Sequence, residues 1–88
     1  MVQSKASKDD IKGDELLILR EESGYGWRRR LRVVMFIVNG VPRAPVVETR
    51  IFREKDEHPH GRSVGMNYEE AKTLAERWSE VQALWVGK

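Results

Sequence analysis

The stretch GWRRRLRVVMFIV, residues 26–38, decides the fold. Four arginines fall within five positions (Arg28, Arg29, Arg30, Arg32), and six uncharged residues follow, Val33 to Val38. Counted by twos, Trp27, Arg29, Leu31, Val33, Met35 and Ile37 share one face of a strand. Arg28, Arg30, Arg32, Val34, Phe36 and Val38 share the other. Helical counting would scatter the arginines around an axis, and the apolar half is rich in β-branched residues. The spacing therefore predicts one long strand whose second face runs from basic to apolar.

On the N-terminal side, DELLILREE (14–22) holds four aliphatic residues between acids, the pattern of a buried strand, and SGYG (23–26) is a turn. Residues 1–13 are polar and aperiodic and read as a flexible tail, with residues 14–88 as one domain. On the C-terminal side, NGVPRAP (39–45) turns the chain and VVETRIFR (46–53) forms a third strand. The segment EKDEHPHG (54–61) is a charged loop, and RSVGMN (62–67) is a short fourth strand with Val64 and Met66 on one face.

The segment NYEEAKTLAERWSEVQALW (67–85) predicts one amphipathic helix. Asn67 is its N-cap and Glu70 completes a capping box. Ala71, Leu74, Ala75, Trp78, Val81, Gln82 and Trp85 form its apolar stripe, which makes Trp78 a core residue, and Gly87 is the stop. The expected fold is α+β: a four-stranded antiparallel meander followed by one C-terminal helix, β-β-β-β-α. One helix covers only one sheet face. Val34, Phe36 and Val38 on the other face would meet water in a monomer, so a homodimer is expected.

Eighty-eight residues, 40% hydrophobic and 34% charged, suit a single small globular domain. The absence of cysteine excludes a disulfide framework and thiolate metal sites. No apolar run is long enough to span a bilayer and no apolar signal region precedes the domain, so a cytoplasmic location is expected. The net charge of +2 is uneven: residues 20–53 carry eight arginines against three glutamates, while the flanking segments are net acidic. Such a basic middle third fits a polyanionic partner or a solvated strand.

Catalytic chemistry finds no support. His58 and His60 sit beside Asp56 and Glu57, but two loop histidines are too few for a closed metal site. The seven glycines form no phosphate-cradling motif. The expectation is a protein that is not an enzyme, with no cofactor, no metal and no small-molecule substrate. Arg28, Arg30 and Arg32 are spaced by roughly 6.5–7 Å along a strand, near the phosphate spacing of an extended single strand. Arg50 and Phe52 alternate in the same way on the neighbouring strand, so guanidinium groups are interleaved with rings. Phe36, Phe52 and Trp27 serve equally well as stacking platforms or as core and interface residues. Arg29, on the opposite face, is either solvated or paired with an acid such as Glu21 or Glu22.

Four pieces, in order, resemble the transcriptional coactivator family of positive cofactor four, in particular its small bacterial members. They are ELLIL (15–19), GWRRRL (26–31), VETRIF (47–52) and GRSVGMNYEEAKTL (61–74), and the resemblance covers most of residues 14–78. The turn at 39–45 and the loop at 53–61 are longer than the family's usual connections. The resemblance implies an intertwined homodimer that binds single-stranded nucleic acid across its sheets. By position it assigns nucleic-acid contacts to Trp27, Arg28, Phe36, Arg50 and Phe52. With the charge pattern, the expected contact set is Trp27, Arg28, Arg30, Arg32, Phe36, Arg50, Phe52 and Arg53. The expected function is binding of single-stranded DNA or RNA without sequence preference, in support of transcription or DNA maintenance. The alternative is a protein-interaction dimer that docks an acidic partner surface.

Overall fold

The computed structural model describes residues 10–86. Two long strands form its centre, β1 (Ile11–Gly24) and β2 (Trp27–Val38), paired antiparallel across a two-residue turn at Tyr25 and Gly26. Gly26 has φ of 79°, a conformation glycine adopts without steric cost. A second tight turn follows at Asn39 (φ 51°) and Gly40 (φ 82°), the pair favoured where both central residues need positive φ. It leads to the two-residue strand β3 (Val41–Pro42) on the end of β2. The chain kinks through residues 43–45, held by a hydrogen bond from the Arg43 N–H to the Phe36 carbonyl (2.8 Å). It then rejoins β2 as β4 (Val46–Arg53), and β5 (Pro59–Val64) pairs with β4. The sheet order is β1-β2-β4-β5, the order of the predicted antiparallel meander, but β3 pairs with β2 off this path, so the sheet has five strands where four were expected.

Three further expectations shift at the element level. The strand at the N-terminus starts at Ile11, so residues 11–13 are not tail; residues 1–9 lie outside the described residues. The last strand lies earlier than 62–67. Pro59 opens it, a position where no ladder N–H is required, and Gly61 (φ 73°) absorbs an irregularity, leaving Met66 beyond the strand and 40% exposed. The expected single helix is two, α1 (Tyr68–Glu76) and α2 (Trp78–Val86). They part at Arg77, whose guanidinium donates to the carbonyls of Ile18 (3.3 Å) and Leu19 (3.0 Å) on β1 and to Glu80 (2.7 and 2.9 Å). Edge strand β1 has carbonyls the ladder does not use, and Arg77 satisfies them. The expected stop at Gly87 lies outside the described residues.

The break re-aims the second helix. Val81 is fully buried, and Leu84 and Trp85 pack on the core, whereas Trp78 is 49% exposed and is not the core residue its spacing predicts. The core lies between these helices and one sheet face, around Leu19, Leu31, Val33 and Val81, with Leu16, Leu17, Val47 and Leu74 against it. Two register shifts in β1, between Glu15 and Leu17 and between Ile18 and Arg20, let Leu16, Leu17 and Leu19 all reach this core. Ile18 is left 43% exposed.

Candidate nucleic-acid interface

The sheet register sorts the expected contact residues onto two faces. Across β2 and β4, Arg28 pairs with Phe52, Arg30 with Arg50, Arg32 with Glu48 and Val34 with Val46. Directly opposed residues share a face, so these side chains and Phe36 stand together on the side away from the helices. Trp27 pairs with Arg53, placing both on the helix side at the sheet's end, out of the arginine row. The Trp27 ring lies over Gly24, where a Cβ would stand 2.2 Å from ring carbons. Arg53 reaches His60 (3.3 Å).

Phe52 is 1% exposed, so its ring is not offered to an incoming base. It forms a floor beneath three guanidinium groups, with the carbons of Arg28, Arg30 and Arg32 at 5.2, 4.5 and 5.5 Å from the ring centroid. Each such contact contributes about 0.5–1 kcal/mol, more where desolvated. Stacking orients the guanidiniums but does not remove their mutual repulsion. Carboxylates from both neighbouring strands do that.

Arg30 Nη1 donates to both Glu15 oxygens (2.9 Å each) and Nε to Glu21 (2.6 Å). Arg32 donates to Glu15 (3.1 Å) and to Glu48 (2.8 and 3.1 Å). Arg50 reaches the other Glu48 oxygen (3.4 Å) and the Gly61 carbonyl (2.6 Å). Burial works against the charged form of Arg30, but the hydrogen bonds it donates to Glu15 and Glu21 outweigh it, and its pKa lies above the ordinary value. Among the described residues no carboxylate pairs with Arg28, which donates to the backbone carbonyls of Arg53 (3.3 Å) and Asp56. It thereby pins the turn after β4.

Beside this array runs a groove of about 650 Å³. Lys12, Arg32, Arg50 and Glu57 line it, together with Phe36 and His58. Gly13 stands under Phe36: a Cβ there would lie 3.3 Å from the ring and 3.4 Å from Val34, tight contacts that glycine avoids. A smaller recess of about 270 Å³ opens over Phe52 between Arg28, Arg30, Glu15 and Glu57. Lys12, Gly13, Glu57 and His58 are not in the expected contact set. Gly13 hides the strand character of residues 11–13 in the sequence, and the β5 pairing that brings the 57–59 segment alongside is non-local. Among the described residues, no group of three or more His, Asp or Glu converges as metal donors.

The opposite face holds a buried clamp. Arg29 donates twice to Glu70, at 2.7 and 2.8 Å, and once to the Gly65 carbonyl (2.6 Å). Its acid partner is therefore on α1, and neither Glu21 nor Glu22. Glu70 is 1% exposed and also accepts from Thr49 (3.3 Å) and from the Asn67 N–H (2.9 Å), while Asn67 Oδ1 accepts from the Glu70 N–H (2.9 Å). The capping box is formed as the sequence predicts. Burial pushes the Glu70 carboxyl up, yet the hydrogen bonds from Arg29 and Asn67 prevail and hold its pKa below the usual 4.5.

The chain matches no family model, no curated protein and no solved structure.

Proposed function

We propose that the sheet face carrying Arg28, Arg30, Arg32 and Arg50 holds an extended single strand of DNA or RNA, without sequence preference, in a homodimer. The supporting observation is the groove, where Lys12, Arg32 and Arg50 flank the half-buried Phe36 ring; Glu57 also lines it, and Arg32 and Arg50 are shared with Glu48. Cations beside an accessible ring are the parts of a single-strand platform: charge follows the phosphates and the ring meets an unstacked base. Phe52 acts beneath the surface, orienting the guanidiniums. Of the expected contacts, Arg28 and Phe36 stand nearest to this role, Arg30, Arg32 and Arg50 are shared with carboxylates, and Trp27 and Arg53 lie at the sheet's end. The resemblance to the positive cofactor four family points the same way.

The dimer rests on an apolar row at the far end of the same face. Ile11 and Val41 flank Val38 on the two adjoining strands and are 58% and 57% exposed, while Val46 is 41% exposed. Val34, expected to need a partner chain, is fully buried within the single chain, so the row that remains to be covered is shorter than the sequence implies. A second copy laid on this row would extend two arginine faces into one surface.

A specific observation keeps the rival class in view. The carboxylates of Glu15, Glu21 and Glu48 offset most of the arginine charge, as they would in a polar face that docks another protein. Fluorescence polarisation with labelled oligo-dT, oligo-rU and a duplex separates the two. Single-strand binding requires tighter association with oligo-dT or oligo-rU than with the duplex, weakening steeply as salt rises. A docking surface for an acidic protein shows no preference for single strands.

A further inference from the structure

Five side chains on the arginine face form a ladder of alternating charge. Glu15 bridges Arg30 (2.9 Å) and Arg32 (3.1 Å), and Glu48 bridges Arg32 (2.8 Å) and Arg50 (3.4 Å). The bridges are well shielded, with Arg32 and Glu48 side chains only 7% and 10% exposed, and Arg30 and Glu15 at 14% and 25%. Each carboxylate occupies donors that a phosphate oxygen would use. It is attached to the same domain, so its effective concentration at those donors far exceeds that of a free anion.

We infer that Glu15 and Glu48 are specificity-determining residues: built-in competitors that admit a polyanionic chain and turn away lone phosphates. The inference rests on the nucleic-acid reading above. An isolated phosphate that displaces one carboxylate gains a single set of hydrogen bonds and strands a shielded acid without its partner, which is costly. An extended strand supplies phosphates to successive arginines at once. Each released carboxylate is then exchanged for a new contact, and the counterions freed from the strand add a favourable term that a mononucleotide cannot match. Glu15 lies on edge strand β1 with its side chain 25% exposed. Glu48, on an inner strand between Arg32 and Arg50, is 10% exposed and the more tightly held of the two.

The test compares oligo-dT affinity for the wild type, Glu15→Gln, Glu48→Gln, the double variant and Glu57→Gln. Glu57 lines the same groove but makes no ion pair with the ladder, so it reports the general effect of removing one negative charge. Each ladder variant is expected to bind oligo-dT roughly 3- to 10-fold tighter than the wild type. It should also show a salt dependence steeper by about 0.7 per arginine freed, with both gains larger than those of Glu57→Gln. Thymidine 5′-monophosphate should fail to displace oligo-dT from the wild type and succeed with the double variant. Ladder variants that bind no tighter than the wild type, or that merely equal Glu57→Gln, overturn the inference while leaving the nucleic-acid reading intact. Absence of oligo-dT binding by every form sinks that reading and this inference together. Binding by the double variant alone overturns both, because the wild-type ladder then admits no strand. Should the variants not fold, the wild type decides: saturating oligo-dT must shift the side-chain carboxyl carbon resonances of Glu15 and Glu48, and unmoved resonances overturn the proposal.

Discussion

Phe52 illustrates how a residue's role depends on what stands above it. The alternation of VETRIF places it on the basic face, where a ring invites a stacked base. The register instead sets Arg28, Arg30 and Arg32 over it and leaves it 1% exposed. Phe52→Leu keeps most of the apolar volume and removes the π face. It is expected to lower stability by about 1–3 kcal/mol, read from the midpoint of urea unfolding, and to weaken nucleic-acid binding by loosening the guanidiniums. Unchanged stability would mean that the stack contributes nothing. Gly24 makes a similar point at the hairpin, because its missing Cβ gives the Trp27 ring its place. Gly24→Ala should displace that ring and cost about 1–3 kcal/mol through overpacking, visible as a changed tryptophan emission with a lower melting temperature.

Helix α1 is fastened to the sheet through one carboxylate. Glu70 answers the cap at Asn67, the arginine at position 29 and the hydroxyl of Thr49 at the same time. Because its folded pKa is depressed, the stability it contributes is fully present above the unfolded value near 4.5 and is lost as pH falls through the lower folded value. Wild-type stability should therefore decline in acid below about pH 4.5, and Arg29→Ala should flatten that decline while costing about 3–5 kcal/mol at neutral pH. A variant that keeps the full acid dependence would show that another carboxylate is responsible. The capping box, the period-two strands and the order of the four longer strands before the helical segment were legible in the sequence, because each depends on residues close together in the chain. The break at Arg77 was not. No proline or glycine marks it, and the carbonyls of Ile18 and Leu19 that draw Arg77 away are distant in sequence. The bulges in β1 were equally hidden, so the faces of Glu15 and Glu21, and with them the neutralisation of the arginine row, could not be read by counting.

For the whole molecule, the sheet is covered on one face by the two helices, and the other face carries both the arginine ladder and the apolar row of Ile11, Val38 and Val41. If that row joins two copies, Val38→Lys should yield monomers by sedimentation, with retained secondary structure and a larger loss of affinity for long oligo-dT than for short. A wild type that already sediments as a monomer removes the dimer from the proposal without touching the groove. The most direct measurement of the central claim is a polarisation titration of the wild type and Arg50→Ala with oligo-dT and with duplex over a range of salt concentrations. The expected result is tighter binding to oligo-dT than to duplex, an affinity that falls steeply with salt, and an Arg50→Ala variant with weaker binding and a shallower salt slope by about 0.7. Equal affinity for both nucleic acids, or no loss on removing Arg50, would contradict it.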